Sequence, residues 1–221
     1  DGKTVVGADV DLANALATTM GLKADVQNSP FDGILAGINS GKYGLGMSSF
    51  TDTKEREKEV DFVTYFRAGT SFYTPAGKAN VTSLEDLCGL KVTAQKGTTQ
   101  ADEIAAQNKK CPADKQITAL ILPDQNAVNL AVSSGRADVA MADSPVAAYA
   151  VKQSGGKLEL SGKSYNDAPY GIAMAKGTGL DKPVLAALEA LIASGAYKQI
   201  LDKWGLSAGA ITDPKVNGAE S

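Results

Sequence analysis

Strand-like and helix-like segments alternate along the middle of this sequence, and this alternation constrains the fold more than any other feature. Three apolar, β-branched stretches are each followed by an amphipathic stretch, at residues 90–95 and 100–107, 117–122 and 125–134, and 137–142 and 145–153. A strand–helix repeat of this kind predicts a small, mostly parallel sheet with right-handed crossovers. We therefore expect an α/β fold.

Similar elements flank this central run. The helical candidates are residues 9–20, 31–39, 183–194 and 197–204, and the strand candidates are 24–27, 43–49, 64–75 and 168–176. The chain thus contains two α/β units, joined near residues 69–75 and near 167–173. We predict a two-lobed fold with two crossing hinge segments and a ligand cleft between the lobes. Lobe 1 comprises residues 1–73 plus 171–221, and residues 74–170 form lobe 2 as an insertion.

Composition excludes several functional classes. The 22 Lys and Arg against 25 Asp and Glu give a net charge of −3, which lacks the basic excess that nucleic-acid binding needs, so no nucleic-acid partner is expected. The sequence contains no His, which excludes Ser-His-Asp and Cys-His nucleophiles and most catalytic zinc sites. No window approaches the roughly 18 consecutive apolar residues of a membrane span. We expect no metal and no cofactor.

The N-terminus and the cysteines bear on the cellular compartment. Asp1, Gly2 and Lys3 are polar and no apolar signal-peptide core follows them, so we expect a mature chain from which a signal peptide has been removed. Cys88 and Cys111 either form a disulfide, worth about 3 kcal/mol in the chain-entropy model, or are two separate buried thiols. A disulfide would place the protein outside a reducing cytosol.

Polar residues follow three of the predicted strands, where the ligand crevice of an open α/β sheet lies. Thr51 and Arg56 follow the first of these strands, and Asp143 ends the third. Thr98 and Thr99 lie at a helix start after the second strand, where free backbone N–H groups attract an anion. A guanidinium and an N–H nest suit an anion, and a carboxylate with hydroxyls suits a cation. Together they suit a zwitterion such as an α-amino acid.

Each of these groups also has a purely structural explanation. Asp143 could cap the helix that follows it, and residues 97–98 could form only a turn. Arg56 could be solvated within the charged run around it. Phe31, at a helix start, is either a core aromatic or a wall of the pocket.

Several motifs in this sequence resemble a known family. They occur in family order at residues 7–13 (GADVDLA), 48–57 (SSFTDTKERE), 97–100 (GTTQ), 135–138 (GRAD) and 143–145 (DSP). The pattern resembles the solute-binding proteins of polar amino-acid ABC transporters, which are family 3 extracellular solute-binding proteins with the type II periplasmic binding fold. The resemblance covers nearly the whole chain.

The resemblance implies a role for each site residue. The implied ligand-binding residues are Phe31 as an aromatic wall, Ser49 (through its backbone) and Thr51 as partners of the α-amino group, Arg56 as partner of the α-carboxylate, Gln95 beside the ligand side chain, Thr98 and Thr99 as further carboxylate contacts, and Asp143 as partner of the ammonium. The resemblance also favours a Cys88–Cys111 disulfide, because relatives with Leu-Cys-Gly before this strand often carry the partner cysteine after the following helix. No catalytic residue is implied.

The sequence departs from the family pattern at three places. The family normally has a strand and an aromatic, proline-containing loop before the position of Asp1, so lobe 1 is expected to lack its first strand. Ala8 stands where an aromatic is common, and Gly44 stands where an Asp is common. The missing part usually contributes to side-chain selectivity, so the identity of the amino acid stays open.

The function that the resemblance implies is extracytoplasmic binding of a polar α-amino acid and its delivery to an ABC transporter permease. The location would be the periplasm, or the cell surface for a membrane-anchored lipoprotein, and the protein is expected to be a monomer. A ligand that bridges both lobes would favour their closed state. Two alternatives use the same scaffold: a dehydratase-like enzyme, which needs a general acid in the cleft, and a ligand-sensing receptor domain, which needs a signalling segment.

Overall fold

The structure is a computed structural model that describes residues 4–78 and 80–220. Asp1, Gly2 and Lys3, on which the signal-peptide prediction rests, lie outside the described residues. The helices are α1 (Ala8–Thr19), α2 (Ile34–Asn39), α3 (Thr99–Asn108), α4 (Gln125–Ser133), α5 (Ser144–Gln153), α6 (Asp181–Ala193) and α7 (Ala196–Trp204). The strands are β1 (Val60–Pro75), β2 (Lys91–Gln95), β3 (Thr118–Leu122), β4 (Val139–Asp143) and β5 (Leu158–Ala175).

The chain divides into two compact units. Unit 1 comprises Asp1–Ser29, Gly33–Arg67 and Ala168–Ser221, and unit 2 comprises Pro30–Asp32 and Ala68–Asp167. Apart from the short stretch Pro30–Asp32, the chain passes from one unit to the other within the two long strands β1 and β5.

A five-stranded sheet has the order β3-β2-β4-β1-β5. Strand β2 pairs in parallel with both β3 and β4, whereas β1 pairs antiparallel with β4 and places Thr70 opposite Asp143. The predicted α/β class with a mostly parallel central run is thereby confirmed. The carboxyl ends of β2 and β4 carry two of the predicted ligand-binding groups.

Unit 2 has a buried cluster on each face of its sheet. Neighbouring residues of a strand point to opposite faces, so Phe72 and Met141 pack with α3 on one face while Tyr73 and Ala140 pack with α4 and α5 on the other. These apolar faces fix the register of the strands whose ends carry polar groups.

Cys88 and Cys111 form a disulfide with their Cα atoms 5.5 Å apart. The bond confirms the pairing that the resemblance implies. It ties the turn before β2 to the loop after α3, and Cys111 belongs to the same buried cluster as Phe72. The cross-link therefore stabilises the position of β2 relative to α3.

Unit 1 is built from α1, α2, α6, α7 and the unit 1 portions of β1 and β5. Leu12 and Leu16 of α1 lie one turn apart and are buried, as is Leu188 of α6, because apolar residues at helical spacing form one face. No single described helix is long and apolar enough to cross a bilayer; α6 and α7 together pass by length and composition, but with a 78° bend between them.

Two of the predicted strands are wrong. Residues 24–27 are mostly exposed and form no strand, because nothing in the described part of the chain pairs with them. Residues 43–49 form a single bridge, Gly46 to Ala173. Gly44 and Gly46 contribute no side chains to a pleated surface, which weakens a strand, and Ser49 has a left-handed φ of 50° that turns the chain away.

Residues 214–220, here called the C-terminal tail, lie along β1. Their small and polar residues are typical of an extended surface segment, and Val216 does pair antiparallel with Val63. The tail is more than a surface strand, however, because Pro214 and Ala219 are buried. Its backbone also contacts the segment that carries Arg56.

Candidate functional site

Arg56 begins a short 3₁₀ turn, Arg56–Lys58, in unit 1 and is fixed by its own neighbours. Its Nη1 donates a hydrogen bond to the carbonyl oxygen of Thr51 at 2.7 Å. The guanidinium carbon lies 4.4 Å from the ring centroid of Phe50, and the side chain is half-buried. Arg56 is therefore not simply solvated within the charged run. A guanidinium held in this way presents a planar fork that matches a carboxylate.

Thr51 is held in place by strand β5. Thr51 pairs antiparallel with Tyr170, and on either side of it the carbonyl of Phe50 accepts from the Gly171 N–H while the Asp52 N–H donates to the carbonyl of Pro169, both at 2.8 Å. This backbone pairing sets the position of Thr51, and through its carbonyl it also sets the position of Arg56.

Ser49 depends on the half-buried Asp9, which is not among the predicted ligand-binding residues. The Ser49 N–H donates to Asp9 Oδ2 at 2.8 Å, and the Tyr65 hydroxyl donates to Asp9 Oδ1 at 2.7 Å. Burial raises the pKa of Asp9 above its ordinary value, and the hydrogen bonds from Tyr65 and Ser49 partly oppose that rise. The sequence signal for this role is the position of Asp9 within the family-like motif at residues 7–13.

In unit 2, Asp143 lies at the end of β4 and is the N-cap residue of α5. The Asp143 side chain makes no capping hydrogen bond; its Oδ1 accepts instead from Gln100 Nε2 at 2.7 Å. Gln100 is buried and its Nε2 also donates to Thr70 Oγ1 at 2.9 Å. Gln100 lies within the GTTQ motif at residues 97–100, and the sequence alone assigns it no role.

The start of α3 brings together the residues that follow β2. Thr98 is the N-cap: its Oγ1 accepts from the Ala101 N–H at 3.3 Å and donates to the carbonyl of Gln95 at 2.7 Å. Thr99 is the first residue of the helix, and Gln95 Nε2 donates to the carbonyl of Pro123 at 3.3 Å. The Thr98 hydroxyl is thus used for capping, whereas Thr99 lies where the helix dipole and N–H groups favour an anion.

Phe31 belongs to unit 2 and is half-buried. It lies against the loop before α3, since a Cβ atom at Gly97 would come within 3.7 Å of Phe31 Cδ1 and 3.0 Å of Asp32 Cβ. Gly97 also has a φ of 80°, so glycine is required there on both counts. Lys96 Nζ pairs with Asp32 Oδ2 at 2.9 Å.

The predicted ligand-binding residues thus fall into two sets. Ser49, Thr51 and Arg56 lie on one segment of unit 1; Phe31, Gln95, Thr98, Thr99 and Asp143 lie in unit 2. A pocket of about 230 Å³ in unit 1 contains none of these residues; it is lined by Thr64, Arg67, Pro169, Ile211, Asp213, Lys215, Gly218 and Glu220. Among the described residues, no group of three His, Cys, Asp or Glu side chains could hold a metal ion.

Comparison with known proteins identifies the family. The family model for bacterial extracellular solute-binding proteins, family 3, matches residues 1–207. The chain belongs to this family. Its sequence is 33% identical to the arginine-binding protein ArgT of Corynebacterium glutamicum over 220 residues, which is 98% of this chain and 72% of ArgT. It is 30% identical to the ABC transporter glutamine-binding protein GlnH of Bacillus subtilis over 208 residues, which is 90% of this chain and 72% of GlnH.

The structure also resembles a solved amino-acid-binding protein. An ancestral arginine-binding protein bound to arginine matches with a TM-score of 0.85 and 34% identity, covering 92% of this chain and 90% of the other. The resemblance, the fold class and the role in amino-acid binding for transport predicted from the sequence are confirmed. These family 3 relatives are named as binding proteins and not as enzymes.

Proposed function

We propose that this solute-binding protein binds a polar α-amino acid outside the cytoplasm and delivers it to an ABC transporter permease. The observation that carries the proposal is the fixed guanidinium of Arg56, held by the Thr51 carbonyl at 2.7 Å and by the Phe50 ring, in a chain of this family. Such a group binds a carboxylate without further loss of side-chain freedom, which lowers the entropic cost of binding.

The α-carboxylate is assigned to Arg56 of unit 1 and to the start of α3 in unit 2. Because the Thr98 hydroxyl caps the helix, the side-chain contact from this loop is assigned to Thr99, with the neighbouring backbone N–H groups as further donors. The positive charge of Arg56 and the positive end of the α3 dipole then both stabilise the carboxylate.

The ammonium group is assigned to Asp143, with Thr51 and the Ser49 backbone as its additional partners. The Gln100 amide donates to Asp143, which is the partner arrangement of a carboxylate and supports an ammonium contact over a general acid. We therefore favour a binding protein over a dehydratase-like enzyme. Phe31 and Gln95 are assigned to the side chain of the ligand.

The identity of the amino acid, the location and the oligomeric state are also proposals. Arginine and glutamine are the first candidates, because the relatives ArgT and GlnH are named for them. We place the protein in the periplasm or on the cell surface as an anchored lipoprotein, in keeping with an extracellular family and with the disulfide. We propose that it acts as a monomer.

A thermal-shift screen against the standard amino acids, followed by calorimetry of each hit, tests the proposed function. A ligand that binds only the folded state must raise the melting temperature. We expect a rise confined to polar amino acids, lost in Arg56→Ala and retained in Arg136→Ala, which removes an exposed arginine in unit 2. A chain that responds to no amino acid would contradict the proposal.

A further inference from the structure

Asp52 precedes Arg56 by four residues and Glu57 follows it directly, and the C-terminal tail binds both of these acids. Asp52 Oδ2 accepts a hydrogen bond from the Gly218 N–H at 2.8 Å, and Glu57 Oε1 accepts one from the Ala219 N–H at 3.0 Å. Consecutive amides of the tail therefore hold both ends of the segment that carries Arg56.

The tail is in turn fixed to strand β1. The Asn217 N–H donates to the carbonyl of Phe62, and Asn217 Oδ1 accepts from the Phe62 N–H, both at 2.9 Å. At the end of the tail, Glu220 accepts two hydrogen bonds from the Arg67 guanidinium, at 2.7 and 3.0 Å. The tail thus connects the Arg56 segment to the long strand that continues into unit 2.

Asp52 is an acid in an environment that disfavours its charge. Asp52 is only 1% exposed. Its Oδ1 is buried and accepts no hydrogen bond from a donor in the described part of the chain. Burial and the neighbouring negative charge of Glu57 raise the pKa of Asp52 to about 7. A proton on Asp52 removes this conflict, because the acid then donates to the Glu57 carboxylate.

Glu57 is the ionised member of the pair. Although its burial has the opposite effect, the hydrogen bonds from the Ala219 N–H and from Lys54 hold the pKa of Glu57 below its ordinary value. Two like charges in one buried site are unfavourable. A single proton shared by Asp52 and Glu57 therefore allows both side chains to keep their hydrogen bonds with the tail amides.

Other charged groups around the pair come from the Arg56 segment, from the turn after β5, from β1 and from the tail. Lys54 of the same segment donates to Glu57 Oε2 at 3.1 Å and is 58% exposed, so water screens its effect on Asp52. Lys176, directly after β5, donates to the carbonyl of Glu57 at 2.6 Å and pairs with Asp61 of β1 at 3.0 Å. From the tail, Glu220 is paired with Arg67. Lys54 is thus engaged by Glu57, and Lys176 and Arg67 are engaged by acceptors other than the Asp52 carboxylate.

We propose that Asp52, Glu57 and the tail amides of Gly218 and Ala219 form a proton-dependent clasp that positions Thr51 and Arg56, so that ligand affinity falls when Asp52 loses its proton. Asp52 and Glu57 act as positioning residues and do not touch the ligand. This inference rests on the proposed function, because Arg56 matters only if it binds the carboxylate. Ionisation of Asp52 places a second buried charge beside Glu57, and the segment or the tail must move to separate the two.

The clasp also predicts how stability depends on pH. The pKa of Asp52 is about 7 in the folded chain, above the ordinary aspartate value, so the folded state binds this proton more tightly than the unfolded state. Stability contributed at Asp52 is therefore present at low pH and is lost as the pH rises from the ordinary value through about 7.

The experiment compares Asp52→Asn and Glu57→Gln with Glu55→Gln, an exposed glutamate of the same turn that pairs with Lys58. Calorimetry with L-arginine and with L-glutamine measures Kd, and thermal unfolding without ligand measures Tm, each at about pH 6 and about pH 8. For wild type and Glu55→Gln we expect Kd to rise about fivefold and Tm to fall between the two pH values. Asn at position 52 mimics the protonated acid, so Asp52→Asn should abolish both changes, and Glu57→Gln should weaken them.

A second variant tests the tail without changing either acid. A Cβ atom at Gly218 would lie 2.8 Å from Thr64 Cγ2, so Gly218→Ala should displace the tail, weaken binding at both pH values and remove the pH dependence. Wild-type pH dependence of Kd and Tm in Asp52→Asn would overturn the clasp. Full affinity in Arg56→Ala would instead contradict the proposed function, so the two failures are distinguishable.

Discussion

The two units hold their candidate ligand-binding groups in different ways. In unit 2, Thr99 and Asp143 lie at the carboxyl ends of parallel strands, next to helix starts, and a buried glutamine of α3 orients Asp143. In unit 1, Ser49, Thr51 and Arg56 lie on an irregular segment. That segment is held by Asp9 from α1, by β5 and by the C-terminal tail. Regular structure thus places the groups of unit 2, and individual long-range contacts place those of unit 1.

The largest expected effect concerns the guanidinium of unit 1. Arg56→Ala should weaken amino-acid binding by about 100-fold or more, because it leaves a desolvated carboxylate without its partner, a loss of several kcal/mol. Isothermal calorimetry measures the change, and Arg136→Ala is the matched control. If Arg56→Ala retained the affinity of the control, the contribution of unit 1 to the site would be disproved.

The disulfide should affect the stability of unit 2 and leave recognition intact. Replacing Cys88 and Cys111 by Ser should cost about 3 kcal/mol of unfolding free energy, because the reduced chain regains loop entropy when unfolded. Chemical denaturation measures the loss, and the ligand affinity of the folded fraction should stay within about twofold of wild type. A large loss of affinity would mean that the cross-link shapes the site itself.

Gln100, which orients Asp143 in unit 2, is expected to have a smaller effect on binding than Arg56. Gln100→Leu removes the donor to Asp143 and to Thr70 and should weaken binding by about tenfold, the effect of one lost hydrogen bond to a charged group. Gln107→Leu is the matched control, since Gln107 is also buried on α3. Equal affinities for the two variants would show that Asp143 does not need Gln100.

The smallest effect is expected at Asp9. Asp9→Asn keeps the size of the side chain but leaves an amide group beside Ser49 or Tyr65, so binding should weaken by about threefold through Ser49. The control is Asp11→Asn on the same helix, whose carboxylate contacts Lys203 and Trp204 instead. Calorimetry should find the control unchanged, and an equal loss in both variants would point to α1 in general.

The same contrast explains what the sequence predicts well. The strands and helices of unit 2 follow from local periodicity, and the end of a strand fixes where Asp143 and the Thr98–Thr99 pair lie. The strand predicted at residues 43–49 does not form, because Ser49 turns the chain away from β5. Gly46 does pair with Ala173 of β5, which lies over a hundred residues away in the sequence.

Contacts that are distant in sequence leave no local signal. Gly218 lies 166 residues from Asp52 in sequence, and only the folded chain brings the tail amides to the carboxyl pair. By composition alone, an aspartate in the charged run at residues 48–57 is expected to have a solvated side chain. The structure instead shows a buried acid, which no pattern in the sequence predicts.

The most direct test of the account removes the carboxylate from the ligand and the guanidinium from the protein in turn. Calorimetry would compare the amino acid with the largest thermal shift and its α-carboxamide, each on wild type and on Arg56→Ala. The account predicts that the carboxamide binds wild type about 100-fold more weakly than the amino acid but that Arg56→Ala barely distinguishes the two. If Arg56→Ala discriminated against the carboxamide as strongly as wild type does, Arg56 would not be the carboxylate partner and the central claim would be contradicted.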